Sequence, residues 1–319
     1  WVVDGNLQTD SAAGGSFQLG ALSGTGVISG HANNAAATVS TLVVGGRGLD
    51  TTFAGRIVNN AAGDAATGNA DNARNNVLAL RKTGTASFTL SGASTHTGTT
   101  TVAGGLLRLA HGQALGSSPV NVLTGATLAI ADEIAVRVPA LTLSSSGRID
   151  LAGGRITAAG GITPSGVVSA LTAGRGDGSW NGSVGIMSSR VATELAGSLP
   201  RTIGWLDEGG GAITVAYAAP GDTNLDGGID ILDAANFLAG AAFDTGLPAT
   251  WFAGDFTYDG VVDILDAAEF IAPMLFDAGA YAGGGGSIAA VPEPGLPAWG
   301  VAAAVGCALC RRRRGPEAA

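Results

Sequence analysis

The stretch from Leu80 to Ile130 reads LRKTGTASFTLSGASTHTGTTTVAGGLLRLAHGQALGSSPVNVLTGATLAI. Apolar and small polar residues alternate in short runs such as ASFTL, TTTV and VNVL, and turn formers rich in Gly, Ser and Thr end each run. Period-two alternation with many β-branched residues predicts strands rather than helices. The same texture extends upstream through GSFQLGALSGTGVISG (Gly15–Gly30), STLVVGG (Ser40–Gly46) and TTFAGRIVNN (Thr51–Asn60). Many short strands at near-regular spacing leave three architectures for residues 1–139: a sandwich, a barrel or a β-solenoid.

Composition narrows the class of protein. Gly accounts for 53 of 319 residues without a collagen-like triplet, which suggests an all-β architecture full of tight turns. A hydrophobic share of 46% opposes disorder. The net charge of −9 argues against nucleic acid as a partner, because little here would neutralise phosphates. The chain starts at Trp1 without Met and is read as a fragment or a processed chain. Cys307 and Cys310 lie in an apolar stretch with no second pair, so they read as small membrane residues rather than a metal motif.

Within Leu80–Ile130, a KTG triplet precedes a strand ending in LSG, then a Thr/Gly-rich turn, then a strand with a GLLRL run. Four elements in that order resemble the autotransporter-associated β-strand repeat, and TTFAGRIVNN resembles the strand that comes before KTG. The resemblance implies a right-handed parallel β-solenoid, each coil burying its inward face against the next. Residues 140–219 stay β-like at both ends, in ALTLSSSGRIDLAGGRIT (Ala140–Thr157) and GAITVAYAAP (Gly211–Pro220). They are expected to form a β-rich cap, since an open solenoid end leaves strand edges unpaired.

The densest chemistry is a duplicated acidic loop. GDTNLDGGIDILD begins at Gly221 and GDFTYDGVVDILD at Gly254, 33 residues later. Counting twelve positions from the first Asp, loop one offers Asp222, Asn224, Asp226, the Gly228 carbonyl, Asp230 and Asp233 at positions 1, 3, 5, 7, 9 and 12. Loop two offers Asp255, Thr257, Asp259, the Val261 carbonyl, Asp263 and Asp266. Ca2+ takes six to eight oxygens, and this spacing wraps them round one point with a Gly (Gly227, Gly260) at position 6 for the turn. Four like charges crowded in each loop repel unless a cation neutralises them, so two Ca2+ ions are expected. Ile229 and Val262 at position 8 are expected to join the loops through a short β-bridge.

A strand and Pro-Gly precede the first loop, and Gly and Pro interrupt the approach to the second, so neither has an entering helix. A helix follows each, with Leu232, Ala235 and Leu238 on one face in the first copy and Leu265, Ala268 and Ile271 in the second. Loop-then-helix, twice, over 220–278 resembles the type I dockerin module, which implies two calcium ions and docking onto a cohesin-like protein. Thr257 stands where that pattern has Asn or Asp, and Ile-Leu occupies positions 10 and 11 of both copies.

A Gly-rich linker over 279–290 leads to VPEPGLPAWGVAAAVGCALCRRRRGPEAA (Val291–Ala319). Val291, Pro292, Glu293 and Pro294, then an apolar stretch over 296–310, then Arg311, Arg312, Arg313 and Arg314, resemble a PEP-CTERM sorting signal. That implies a short transmembrane helix inserted transiently in the inner membrane, with the basic run as its stop, and recognition by an exosortase near the Pro-Glu-Pro motif. It also implies display in the cell envelope or outside the cell.

Two functions compete on these residues. One is a non-enzymatic calcium-binding envelope or secreted surface protein that docks through the dockerin-like module. The other is part of a polysaccharide-degrading enzyme or complex, with the dockerin-like module tethering a glycan-active solenoid or a catalytic domain upstream of Trp1, and extracellular polysaccharide as ligand. Glycoside hydrolysis needs two positioned carboxylates, and Asp50, Asp64, Asp71, Asp132 and Glu133 form no pair that pattern singles out. His31, His96 and His111 sit in Gly/Ser/Thr turns and read as surface loop residues. No nucleophile elbow or phosphate-cradling Gly loop is present, so no catalytic residue is assigned.

Overall fold

The computed structural model describes residues 1–9, 15–30, 38–59 and 76–281. Strands are numbered along the chain. One long face stacks β2 (Ser16–Gln18), β4 (Thr38–Val44), β7 (Asn76–Lys82), β9 (Thr100–Val102), β11 (Val120–Val122) and β14 (Leu141–Leu143). A second stacks β5 (Thr51–Phe53), β8 (Ser87–Leu90), β10 (Gly105–Leu109), β12 (Ala126–Ile130), β15 (Arg148–Asp150) and β17 (Gly185–Met187). The third side begins with β1 (Asn6–Gln8), β3 (Val27–Ser29) and β6 (Arg56–Val58). Every pairing within these three sheets is parallel. The mainly β, solenoid-like expectation is therefore met, and the parallel ladders run on past residue 139 as far as β17.

Register explains the core. Phe88, Leu107, Leu128, Ile149 and Ile186 sit side by side across five coils, all buried. Inward positions recur at the same place in each coil, and each full burial of such a side chain contributes roughly 1.5–3 kcal/mol. One buried cluster runs from Val3 to Tyr258 without a break.

The repeat motifs are corner devices. A Cβ added at Gly92, the glycine of LSG, would stand 2.0 Å from the Gly55 carbonyl oxygen, and one at Gly55 would stand 2.0 Å from that of Gly26. Coils approach at this corner as closely as bare backbone permits, so only Gly fits. The lysine of KTG points inward: Lys82 is fully buried, and its ammonium donates to the carbonyls of Thr83 (2.8 Å), Gly84 (3.3 Å) and Gly104 (3.1 Å). Burial lowers the Lys82 pKa, with Asp50 acting in the opposite direction.

His96 corrects the surface reading of the histidines. It is fully buried, with Nε2 3.2 Å from Thr100 Oγ1, which in turn lies 2.7 Å from Ser118 Oγ. Its Nδ1 has no hydrogen-bond partner, and burial pulls its pKa down to about 4. His111 keeps to a turn, where Nδ1 accepts the Gln113 N–H, and His31 lies outside the described residues. Asp132 and Glu133 also sit in a turn, not on a strand.

The region read as a β-rich cap contains two helices as well as strands. Helix α1 (Pro164–Arg175) starts from a Thr163 cap with Pro at its first position and packs on β17. Helix α2 (Ser189–Ala196) follows, capped by Ser188. A last sheet sets β13 (Ala135–Val138) parallel to β16 (Arg155–Ala158), then adds β19 (Ala212–Ala218) and β18 (Thr202–Gly209) antiparallel. The β18–β19 hairpin covers an edge that parallel stacking would leave open. Among the described residues no helix is long and apolar enough to cross a membrane. The expected transmembrane helix over 296–310, the motif Val291–Pro294, the run Arg311–Arg314 and most of the linker lie outside the described residues, as do Asp64 and Asp71.

Candidate metal centre

Each acidic loop leads into a short helix, α3 (Ile231–Ala239) after the first and α4 (Ile264–Ile271) after the second. The duplication extends into the backbone. Left-handed residues recur 33 positions apart: Leu225 and Tyr258 (φ 58° and 63°), Gly227 and Gly260 (92° and 90°), Ala241 and Met274 (44° and 54°), and Asp244 and Asp277 (55° and 57°). Non-Gly residues rarely adopt this conformation, so its recurrence marks one structural unit built twice.

The position-8 bridge is not the expected one. Ile229 pairs with Phe276 and Val262 with Phe243, so each loop is closed by the segment that follows the other loop's helix. Both position-8 side chains are buried. Sequence reading missed the closing segments. Their signal is a second repeated phrase, FDTG from Phe243 and FDAG from Phe276.

Within the loops, positions 1 and 12 are buried and position 5 is exposed. Asp222 Oδ2 accepts the Gly227 N–H at 3.0 Å, and Asp255 Oδ2 accepts the Gly260 N–H at 3.1 Å. Asn224 Oδ1 accepts the Asp226 N–H, and Asp226 and Asp259 each accept the N–H two residues on. Positions 9 and 12 also form capping boxes: Asp230 and Asp263 cap their helices while Asp233 and Asp266 accept the N–H of the cap residue at 2.9 Å. Capping accounts for the acids at 9 and 12. It gives no reason for those at 1 and 5.

Charge is the outstanding feature. Burial pushes the Asp222 carboxyl up to about 7 against a hydrogen bond from Tyr281, and Asp255 up to about 6, with the Asp266 charge adding to it. Burial also raises Asp233. Among the described residues the ion pairs are those of Arg190 with Asp132 and Glu194, so no cationic side chain forms an ion pair with a loop carboxylate. Asp255 Oδ1 and Thr257 Oγ1 are buried without a hydrogen-bond partner. As the side chains stand, no three His, Cys, Asp or Glu among the described residues gather closely enough to hold a metal ion, because the carboxylates turn onto N–H groups of the loops. The donor set nevertheless fits a hard cation, since a carboxylate oxygen that accepts one N–H keeps a second lone pair. Gly228 and Val261, the position-7 residues, are half-buried.

The paired loops share the solenoid's core. Leu225 and Tyr258, both at position 4, are buried together with Trp251 and Phe256. Trp251 Nε1 donates to the Asp222 carbonyl at 2.8 Å, and Trp180 meets Tyr258 edge-on with centroids 5.7 Å apart. Arg155 donates to the Leu225 carbonyl and Arg175 to that of Thr257 (3.0 Å). The helices meet through Phe237 and Phe270, with centroids 5.7 Å apart. The Leu232, Ala235 and Leu238 face and its counterpart Leu265, Ala268 and Ile271 turn outward, as do Ile231 and Ile264.

A family model described as the passenger-associated-transport-repeat matches residues 80–109, the span from the end of β7 through β10. No curated protein and no solved structure matches the chain. The chain thus carries a segment similar to an autotransporter-associated repeat, which points to a cell-surface or secreted protein.

Proposed function

We propose that the chain is a non-enzymatic, calcium-binding bacterial envelope or secreted surface protein, a solenoid whose C-terminal end is completed by two calcium loops. The observation that carries this is the pair of buried carboxylates in each loop, Asp222 with Asp233 and Asp255 with Asp266, none of them in an ion pair among the described residues. Burying like charges together is costly without a counter-ion. One ion would take Asp222, Asn224, Asp226, the Gly228 carbonyl, Asp230 and Asp233. The other would take Asp255, Thr257, Asp259, the Val261 carbonyl, Asp263 and Asp266. Calcium supplies charge neutralisation and cross-linking here, and no reaction chemistry.

The exposed Ile231, Leu232, Ile264 and Leu265, at equivalent places in the two copies, support docking of a cohesin-like protein or another envelope protein on the α3–α4 face. Sorting by an exosortase rests on the sequence of the tail from Val291 to Arg314. Calorimetric titration of the whole chain with Ca2+ after chelation tests the reading. Two ions per chain are expected, falling to one in Asp226→Ala or Asp259→Ala, and a chain that takes up no Ca2+ refutes it.

A further inference from the structure

The two loops are built alike but braced differently. The segment from Phe276 to Tyr281 runs along loop one, with the Asp277 N–H on the Ile229 carbonyl (2.8 Å) and the Tyr281 N–H on the Gly227 carbonyl (2.9 Å). It delivers the Tyr281 hydroxyl to Asp222 Oδ2 at 2.5 Å. Tyr281 is itself held, its ring 6.4 Å from that of Tyr217 and under the Arg201 guanidinium at 5.1 Å. The matching segment after α3 closes loop two through the Asp244 N–H on Val262 (2.9 Å) and the Ala249 N–H on Gly260 (2.8 Å). It brings no side chain to Asp255, whose Oδ1 stays buried and unpartnered.

We propose that Tyr281 is a positioning residue for the first calcium loop, and that an ion there locks the Phe276–Tyr281 strap onto the loop. This rests on the calcium reading above. A hydroxyl donated to Oδ2 fixes the plane of the Asp222 carboxylate, while Oδ1, which accepts the Asp226 N–H at 3.2 Å, keeps a second lone pair for the ion. Outer partners of this kind typically change metal affinity 10- to 100-fold. Asp255 has the Gly260 N–H but no side-chain donor, so more of its ordering must come from the ion. Loop one is therefore the tighter site, and its occupancy is communicated to Tyr281 at the start of the Gly-rich linker.

The test uses whole chains in which one loop is disabled, Asp259→Ala to isolate loop one and Asp226→Ala to isolate loop two, each with and without Tyr281→Phe. Tyr281→Phe keeps the ring and is expected to weaken Ca2+ binding by about 10-fold at loop one only. Equal or tighter binding at loop one, or equal weakening at both loops, overturns the proposal. Hydrogen exchange on the Asp259→Ala chain gives a second reading that needs no change at Tyr281. The amides of Asp277 and Tyr281 should slow on adding Ca2+, and unchanged exchange with the ion bound overturns the lock. Failure of the unmodified chain to bind Ca2+ would remove the calcium reading and this inference together, whereas binding indifferent to Tyr281 removes this inference alone.

Discussion

Lys82 Nζ lies 3.1 Å from the carbonyl oxygen of Gly104, one coil further along, and the same ammonium serves the carbonyls of Thr83 and Gly84. One buried cation thereby satisfies stacked corner carbonyls of two successive coils, which gives the KTG lysine a structural reason. Lys82→Met keeps most of the stem and removes the donor. Leaving these part-buried acceptors without their donor should cost about 1–2 kcal/mol, read as a lower urea midpoint at unchanged slope. A shift below about 0.5 kcal/mol would mean that these carbonyls are satisfied another way.

The glycine corner makes a sharper demand. At Gly92 a Cβ would meet the Gly55 carbonyl oxygen at 2.0 Å, whereas at Gly46 it would meet nothing within 4 Å. The obstruction is backbone against backbone, which no rotamer relieves. Gly92→Ala should destabilise by about 3 kcal/mol or prevent folding, while Gly46→Ala should stay within about 0.5 kcal/mol of the parent. Equal stabilities in the two variants would show that the coils can separate at this corner without penalty.

Strand identity was legible because inward and outward residues alternate, and the duplicated loops because a twelve-residue pattern occurred twice. The buried roles of Lys82 and His96 were not, since both are polar residues in Gly/Thr-rich text and only the coil-to-coil register turns them inward. Helices α1 and α2 escaped notice because Gly, Ser and Thr dilute their apolar positions, leaving Val167 and Leu171 in α1 and Val191 in α2 as the large residues fully buried. The loop-closing pairs Ile229–Phe276 and Val262–Phe243 depend on how the copies interlock, and no local pattern encodes that.

His96 predicts a pH dependence. Its folded pKa is about 4, below the ordinary histidine value of 6.5, because burial disfavours the imidazolium. Between those values the unfolded chain binds a proton that the folded chain refuses, so stability falls as pH drops from about 6.5 to about 4. The full contribution is on the order of 3 kcal/mol. Loop carboxylates with raised pKa values slope the opposite way, so the informative quantity is the difference between the parent and His96→Gln across this window. A parent and variant with parallel pH profiles would count against a buried neutral His96.

Because the loops share a core with the cap, calcium should stabilise more than the loops. Tyr258 stacks on Trp251 with centroids 5.9 Å apart, and a Cβ at Gly204 on β18 would stand 2.4 Å from Leu225 Cδ2 and 2.7 Å from Trp251. Arg155 on β16 and Arg175 on α1 donate to loop carbonyls, so three elements of the cap grip the two loops. An ion that binds only the folded loops adds about 2.7 kcal/mol at a hundredfold excess over its Kd. With a continuous core, that gain should appear as a rise in Tm of the cooperative transition reported by strand circular dichroism, not as a separate melting step. Arg155→Ala, which leaves every proposed ligand in place, should reduce the rise by loosening loop one from β16. Calcium that sharpens a small helical transition while the strand signal melts at the same temperature would show that the loops and the solenoid are energetically independent despite their packing.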